Sequence, residues 1–489
     1  MRKAFDRQQR LDCQVVNHVR LNHNCRDEIV PILRALQHIY SQPEVRDDIL
    51  QKVGADVNRK SSRKRGRKGM DYWPIMVLAA VRLGCNLNYD KLQDLAENHH
   101  RLRQIMGIGD WEKTESFDWR RIQNNLTVLC PETLEHINHA IVAEGHKLVS
   151  HAVETVRADS FVMGTNIHYP TESSLIRDGL RKVLQLCVSL ARLVGSGGWR
   201  QHRHWYQKIK RLARQIDRIA ARKGNGYQRR LKVLYRQLLD EADRLMLRAD
   251  KLRETVQGAP VAVAGVLGMD AELQVFLERT RYVCGTARRR VLQDETVPNH
   301  DKLFSIFETH TQLYKRGKAA EPVQFGRQVL VYEDGAGFIT QACLLPRDKD
   351  DHDVVVEHTR ALQKRLGGRI RRASFDRGFH SPENQQELAK IVAYPCVPMP
   401  GTHQAELQEE EATVEFRQSR ERHPGIESAI NALQAGNGLA RCRDRTERGF
   451  SRYIQLAVLG RNLHVLGKIL LAREKAGCQA AQSRRKKAA

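Results

Sequence analysis

Three carboxylates are the residues best placed to do chemistry in this 489-residue chain. Asp159 falls in a short β-branched run, Val153–Arg157 followed by Phe161–Met163. Asp376 ends the run Ile370–Phe375 and opens the loop Arg377-Gly378-Phe379, after which Ser381-Pro382 reads as a helix cap with proline in the first turn. Glu427 lies in the first turn of a helix that Pro424 can open. Acids at strand ends and at a helix start can converge at the top of a sheet, where ligand sites form. Three such oxygen donors suit Mg²⁺, which takes carboxylates together with substrate phosphate oxygens. Singly, each has a plainer reading: Asp after a strand is ordinary turn chemistry, and Glu in a first turn answers the helix dipole. A second acidic group, Asp348, Asp350, Asp351 and Asp353, reads as the loop and N-cap before a helix over Val354–Leu366.

The elements that must position these acids are strands first and then helix and strand in alternation. Strand-like segments recur at Gln328–Tyr332, Gly337–Leu345, Ile370–Phe375 and Ile391–Val397. Helical patterns fall at Val354–Leu366, Pro382–Lys390, Gly425–Leu433 and Phe450–Leu471. This order predicts an α/β or α+β sheet domain over 151–179 and 300–470, interrupted by a helical insertion over 180–299. Within the insertion, Trp205, Ile209, Leu212, Ile216 and Ile219 step by 4, 3, 4 and 3, and after Gly224-Asn225-Gly226 a similar pattern runs from Tyr227 to Leu252. Two amphipathic helices in an antiparallel hairpin are expected. Ahead of the sheet, residues 1–58 and 71–150 read as helical. The patterns on either side of Gly84-Cys85-Asn86 are compatible with a DNA-binding helix-turn-helix, or with any small helical bundle.

Lysine and arginine total 82 against 57 acids, a formal charge of +25. The 41% hydrophobic and 28% charged fractions are ordinary globular usage and exclude a wholly disordered chain. No uninterrupted apolar run approaches the ~18 residues of a spanning helix, and the charged start of the chain does not read as a signal peptide. Ten cysteines without a CxxC pair suggest reduced thiols in a cytoplasmic protein. A basic chain of this kind is expected to meet nucleic acid. The excess is concentrated in three places. These are a linker over 59–70 bearing Arg59, Lys60, Arg63, Lys64, Arg65, Arg67 and Lys68; the hairpin, where Arg211, Arg214, Arg229 and Arg230 stand; and a tail over 471–489. Each is a candidate phosphate contact, and each also reads as a solvated charged surface.

Several strings share a pattern: DSFVMGTNIHYPTESSLIRDGLRKV from Asp159, SIFETHTQLYKRGK from Ser305, RASFDRGFHSPEN from Arg372, RHPGIESAINAL from Arg422, and RCRDRTERGFSRYIQLAVLGRNLHVLG from Arg441. In that order they resemble bacterial insertion-sequence transposases. The N-terminal MRKAFDRQQRLDCQ, CRDEIVPILRALQHIYSQPEVRDDIL and GMDYWPIMVLAAVRLGCNLNYDKLQDLAENHH resemble the ISNCY group in particular. The resemblance implies an α/β ribonuclease H-like catalytic domain, a mixed sheet flanked by helices, with the large helical insertion and an all-α region before it. It implies an Asp-Asp-Glu triad, matched by Asp159, Asp376 and Glu427, as catalytic residues and metal ligands. Asp376 lies 217 residues after Asp159, and Glu427 another 51 on. Where some relatives carry Arg four residues before the Glu and Lys seven after it, this chain has His423 and Gln434; Arg422, Arg441, Arg443 and Arg445 are candidates to contact phosphate instead. Glu172 reads as structural support.

The implied chemistry is phosphoryl transfer assisted by two Mg²⁺ ions about 4 Å apart, with Mn²⁺ able to substitute. Water would cut at an element end, and the freed 3′-OH would attack target DNA. The implied partners are double-stranded DNA, as terminal repeats and as target, and further copies of the chain, at least a dimer to hold two ends. A bacterial, nucleoid-associated cytoplasmic location follows, with no membrane. The alternatives are a nuclease of the same fold without strand transfer, and a non-catalytic, domesticated DNA-binding protein.

Overall fold

Odd and even residues of the run 155–164 have opposite surroundings, and that alternation lays out the fold. The computed structural model describes residues 2–488 other than 6–10, 23, 60–68, 112–116, 258–263, 316–321, 348, 400–410 and 412. In chain order the helices are α1 (Ile29–Ser41), α2 (Pro43–Asn58), α3 (Tyr72–Gly84), α4 (Tyr89–Asn98), α5 (His100–Ile105), α6 (Trp119–Leu126), α7 (Pro131–Leu148), α8 (Glu172–Leu193), α9 (His202–Arg222), α10 (Tyr227–Gln257), α11 (Ala264–Ala287), α12 (Asp351–Arg365), α13 (Pro382–Ala389), α14 (Val414–Arg422), α15 (Gly425–Asn431) and α16 (Glu447–Ala488). The strands are β1 (Thr155–Gly164), β2 (Gln312–Lys315), β3 (Val323–Asp334), β4 (Ile339–Leu344), β5 (Arg372–Ser374) and β6 (Tyr394–Cys396). The chain divides into two compact units, Met1–Gly164 with Arg327–Ala489, and Thr165–Gly326.

The first unit holds a mixed sheet flanked by helices. β3 pairs antiparallel with β4, and β1 pairs parallel with β5, which pairs parallel with β6. Across the sheet the order is β4, β3, β1, β5, β6. On one face Val156 and Ala158 of β1 and Ala373 and Phe375 of the β5 segment pack with Val354, Val355 and Leu362 of α12 and Leu388 of α13. On the other face Phe161 and Met163 of β1 join a larger core with α1, α3, α7, α15 and α16. The helical residues 29–148 and the sheet therefore belong to one unit with one continuous core. The acidic loop is a cap, as its spacing suggests: Asp350 caps α12 and exchanges hydrogen bonds with Asp353, while Asp348 lies outside the described residues.

α16 is the spine of this unit. Its apolar stretch Glu447–Ala481 is long and apolar enough to cross a membrane, but 67% of its most apolar window is buried inside the protein, as in the central helix of a soluble core. Asn462, wholly buried on it, accepts from the Ile339 N–H at 2.8 Å and donates to the Ile339 carbonyl at 3.0 Å, completing the start of β4. Gly460 lies against Gly84 of α3, backbone to backbone, with no room for a Cβ. Beside this crossing, Arg82, 2% exposed, donates to Asp444 at 2.7 Å, and Arg452 reaches the other carboxylate oxygen at 2.9 Å. Burial alone would raise the Asp444 pKa, yet the two guanidinia hold it below the ordinary carboxylate value.

The second unit is a helical core of α8, α9, α10 and α11. The expected hairpin is present: α9 and α10 are joined by residues 223–226, with Lys223 and Gly226 at left-handed φ of 42° and 64°. α8 starts at Glu172, earlier than the periodicity suggests, because Thr171 and Ser174 form a capping box there. Arg290 pairs with Glu172 at 2.7 Å, the supporting role expected of that acid. β2, too short to show as a strand in the sequence, pairs antiparallel with the first residues of β3, Gln312 facing Gly326.

Two substitutions on α16 should have opposite signs. Gly460→Ala should destabilise the protein by about 1–3 kcal/mol by forcing α3 and α16 apart. Gly477→Ala, where a Cβ meets nothing within 4 Å, should be neutral or stabilise by up to about 1 kcal/mol. Urea unfolding midpoints measure both. Acid should also weaken the fold. Burial pushes His139 and His464 down to about 4 from the ordinary 6.5, so each stays neutral when folded. Their stabilisation is complete above about pH 6.5 and is lost as the pH falls through about 4. In thermal melts from pH 7 to 4, His464→Gln should flatten the decline.

Candidate functional site

The parallel pairing of β1 and β5 sets the site. Its register places Thr155 opposite Arg372, Val156 opposite Ala373 and Arg157 opposite Ser374. The pairing and β5 both end at Ser374, and Asp159 and Asp376 each lie two residues beyond the last paired residues, Arg157 and Ser374, at the same end of the β1–β5 pair. Alternation settles the face. Val156, Ala158, Ala373 and Phe375 point toward α12 and α13, so Thr155, Arg157, Asp159, Arg372, Ser374 and Asp376 share the opposite face, that of α15 and α16. Asp159 is half-buried, and one of its oxygens accepts the Ser160 N–H at 2.7 Å. Asp376 is exposed and precedes the single turn Arg377–Phe379.

Glu427 arrives on the same face from α15. Ile426, Ala429 and Ile430 belong to the buried cluster that holds Phe161 and Met163 of β1, and this leaves Glu427 exposed in the helix's first turn. The junction of α14 and α15 is pinned to the sheet. His423, 8% exposed, shares a 3.1 Å hydrogen bond between its Nδ1 and Ser374 Oγ. Burial lowers the His423 pKa, opposed by the nearby carboxylates of Asp376 and Glu427. Arg157 donates to Glu333 at 2.6 Å and to the Arg422 carbonyl at 3.0 Å, and it packs so closely on Gly425 that a Cβ there would collide with the guanidinium.

Asp159 and Asp376 thus follow paired positions of β1 and β5, and Glu427 lies on the helix that packs against β1. Among the described residues, no group of three His, Cys, Asp or Glu side chains is drawn close enough to hold a metal ion. Carboxylate oxygens are donors of the kind that Mg²⁺ takes, together with water. Next to it a cavity of about 250 Å³ is lined by Arg157, Arg372, Arg422, Ser374, Gln418 and Glu333. On the other face Ser160 donates to Asp351 at 2.8 Å, and Gln328 donates to both, tying the start of α12 to the strand that carries Asp159.

The basic candidates are scattered. Arg422 is exposed at the end of α14 and lines the cavity. Arg441 sits beside the end of β1, where Gly164 and the 440–442 segment exchange backbone hydrogen bonds. Arg443 instead bonds Asn86, in the turn between α3 and α4, and Arg445 is exposed. Arg211 and Arg214 are exposed on α9; Arg229 and Arg230 are exposed at the start of α10, where Arg230 donates to the Asn225 carbonyl. Arg59 ends α2, with its guanidinium 3.8 Å from Cys130 Sγ; Lys60, Arg63, Lys64, Arg65, Arg67 and Lys68 lie outside the described residues. In the pair of helices compared with a helix-turn-helix, α3 is almost wholly buried and α4 carries Asp90, Asp94 and Glu97 against one Lys91.

Arg157, Ser374 and Gly425 went unnoticed in the sequence. The available signal for Arg157 and Ser374 was the two-residue step that puts each on the face of the acid that follows it. For Gly425 there was none.

Gly425→Ala should cost about 1–3 kcal/mol by displacing Arg157 from the Arg422 carbonyl. In an Arg157→Ala background the same change should cost well under half as much, a coupling that a double-mutant cycle reads directly. No protein-family model, curated protein or solved structure matches this chain.

Proposed function

We propose that this chain is an insertion-sequence DNA transposase that uses Asp159, Asp376 and Glu427 for metal-dependent DNA cleavage and strand transfer. The observation that supports the reading is the β1–β5 register, which puts Arg157 opposite Ser374, each two residues before an acid of the triad. Strand order adds support. Numbered within the sheet-bearing unit alone, the five strands run third, second, first, fourth, fifth, the order of a ribonuclease H-like sheet. The sequence strings that resemble these transposases include all three acids.

In this reading Asp159, Asp376 and Glu427 hold Mg²⁺ or Mn²⁺. When bound, the metal supplies Lewis acidity for an in-line displacement at phosphorus. The chain's own groups do the rest. The sheet carries two of the carboxylates, and buried His423 bonds Ser374 without adding positive charge. Arg372 and Arg422 offer guanidinium groups to phosphate oxygens at the neighbouring cavity, while Arg157 is held by Glu333. A nucleophilic Ser, Tyr or Cys is not required. The chain acts on double-stranded element ends and target DNA in a bacterial cytoplasm, as a dimer or larger assembly of copies.

Purified protein given DNA with the terminal repeats that flank its gene, plus Mg²⁺, should cut at those ends and join the 3′ ends to target DNA. Asp159→Asn, Asp376→Asn and Glu427→Gln should each reduce cleavage by about a thousandfold or more, since several kcal/mol of charge stabilisation would go with the metal. Site-specific cleavage that persists in Asp376→Asn overturns the triad. Nicking without joined products would instead favour a nuclease of the same fold.

A further inference from the structure

The arginines of α9 differ from many other cations of their unit. On α8, α10 and α11 and the turn after α11 many cations are committed, as is Lys208 of α9, which pairs with Glu241, whereas Arg192, Arg229 and Arg236 are exposed and unpaired among the described residues. Lys182 pairs with Glu272, Lys232 with Asp294, Arg244 with Glu241, Arg253 with Asp270, Arg281 with Asp250, Arg288 with Asp243, and Arg289 with Glu295. Arg203, Arg211, Arg214, Arg218 and Arg222 of α9 are all exposed, and among the described residues none has an ion pair or a hydrogen bond. The single acid of the helix, Asp217, accepts from Ser173 at 2.7 Å.

Their spacing makes one surface. At 3.6 residues per turn the five side chains fall within an arc of about 100°, directly opposite Ile209, Leu212, Ala213 and Ile216, which pack inward. At 1.5 Å per residue they span about 28 Å, the rise of roughly eight base pairs. The stripe carries no aromatic side chain: Trp205 and Tyr206 project to either side of the inward face, so the stacking platform that single strands use is lacking. It carries no apolar anchor either, which a helix lying on a lipid surface would need. What remains is a rigid row of guanidinium groups that suits a regular row of phosphates.

We propose that the outer face of α9, Arg203, Arg211, Arg214, Arg218 and Arg222, is a docking ridge for the phosphate backbone of double-stranded DNA, independent of sequence. This rests on the reading of the chain as a protein that acts on DNA and names the surface that holds it. Five neutralised phosphates contribute roughly −4.5 to the slope of log K against log [salt].

The test uses the full chain, a 30-base-pair duplex of arbitrary sequence, and EDTA in place of metal, so that it does not depend on catalysis. Affinity is measured by fluorescence anisotropy over a salt series. The variant R211Q/R214Q/R218Q should bind at least tenfold more weakly at 100 mM salt, and its slope should be shallower by about 2.7. K232Q/R244Q/R289Q, which removes the same charge from paired positions, should keep the wild-type slope to within about one unit. Circular dichroism melts should leave the stripe variant unchanged, because those side chains hold nothing in the fold. An unaltered slope in the stripe variant overturns the proposal. So does an equal change in both triple variants, which would mean bulk charge alone. Tighter binding of single-stranded RNA or anionic phosphatidylserine vesicles, undisturbed by competing duplex, overturns it as well. Failure of the catalytic reading is a separate result: cleavage would be absent while the salt slopes still differ between the two variants.

Discussion

The parallel pairing of β1 with β5 is the constraint on which the rest of the site depends. Two short strands, far apart in sequence, are held in one register by apolar residues on a single face, Val156 and Ala158 beside Ala373 and Phe375. In a strand every second residue changes face, so a slip of one position would turn Asp376 into the layer of Leu388 and Phe379 and bury a carboxylate there. The hydrophobic pattern that packs α12 and α13 therefore also aims the acids the other way. That register likewise sets where the segments bearing the two acids, 217 residues apart in sequence, leave the β1–β5 pair.

The third acid needs a different kind of hold, because α15 has only seven residues. Both of its ends are tied to strands that carry the other two. At the start, His423 bonds Ser374, two residues before Asp376. Beyond the end, the Gly164 N–H donates to the Ala440 carbonyl and the Cys442 N–H to the Gly164 carbonyl, on the strand of Asp159. The chain then reaches Asp444, clamped by Arg82 and Arg452, before α16 begins. A buried carboxylate between two guanidinia costs much to desolvate and more to leave unpaired, so it fixes the path of this loop rather than adding net stability.

Much of this was legible in the sequence, and the exceptions have physical causes. β1, β4, β5, β6 and the helices α12, α13 and α15 lie close to where alternation and 3.6-residue periodicity put them, whereas β3 starts five residues earlier than expected and α16 runs on to Ala488 through the segment read as a tail. α9 and α10 were legible by the same periodicity, and Gly224-Asn225-Gly226 marked their turn. β2 was not: four residues, Gln-Leu-Tyr-Lys, show no alternation against noise. Nor was the shared core of the N-terminal helices and the sheet, because a buried helix such as α3 looks alike whether its partner is a neighbour in sequence or α16 nearly 400 residues on. Asp159, Asp376 and Glu427 could be picked out singly, but their common face depends on a register that no local pattern encodes. His423 looked like a departure from a motif; in the structure it is buried and bonds Ser374 of β5.

Net charge is the coarsest of the sequence observations, and the structure changes what it measures. A total of +25 counts Lys232, Arg244, Arg253, Arg281 and Arg288, whose charge is already answered by an acid beside it. A polyanion gains little from such groups, because approaching them means competing with a carboxylate held in place. Arg211, Arg214, Arg218 and Arg222 carry the same formal charge with no such competitor, on a helix whose other face is locked into a core. The two kinds of arginine stand on neighbouring helices of one unit and are indistinguishable by composition or periodicity. What separates them is where the acids fall across the helix interface: Glu241 reaches Lys208 of α9, but among the described residues no acid pairs with Arg211, Arg214, Arg218 or Arg222.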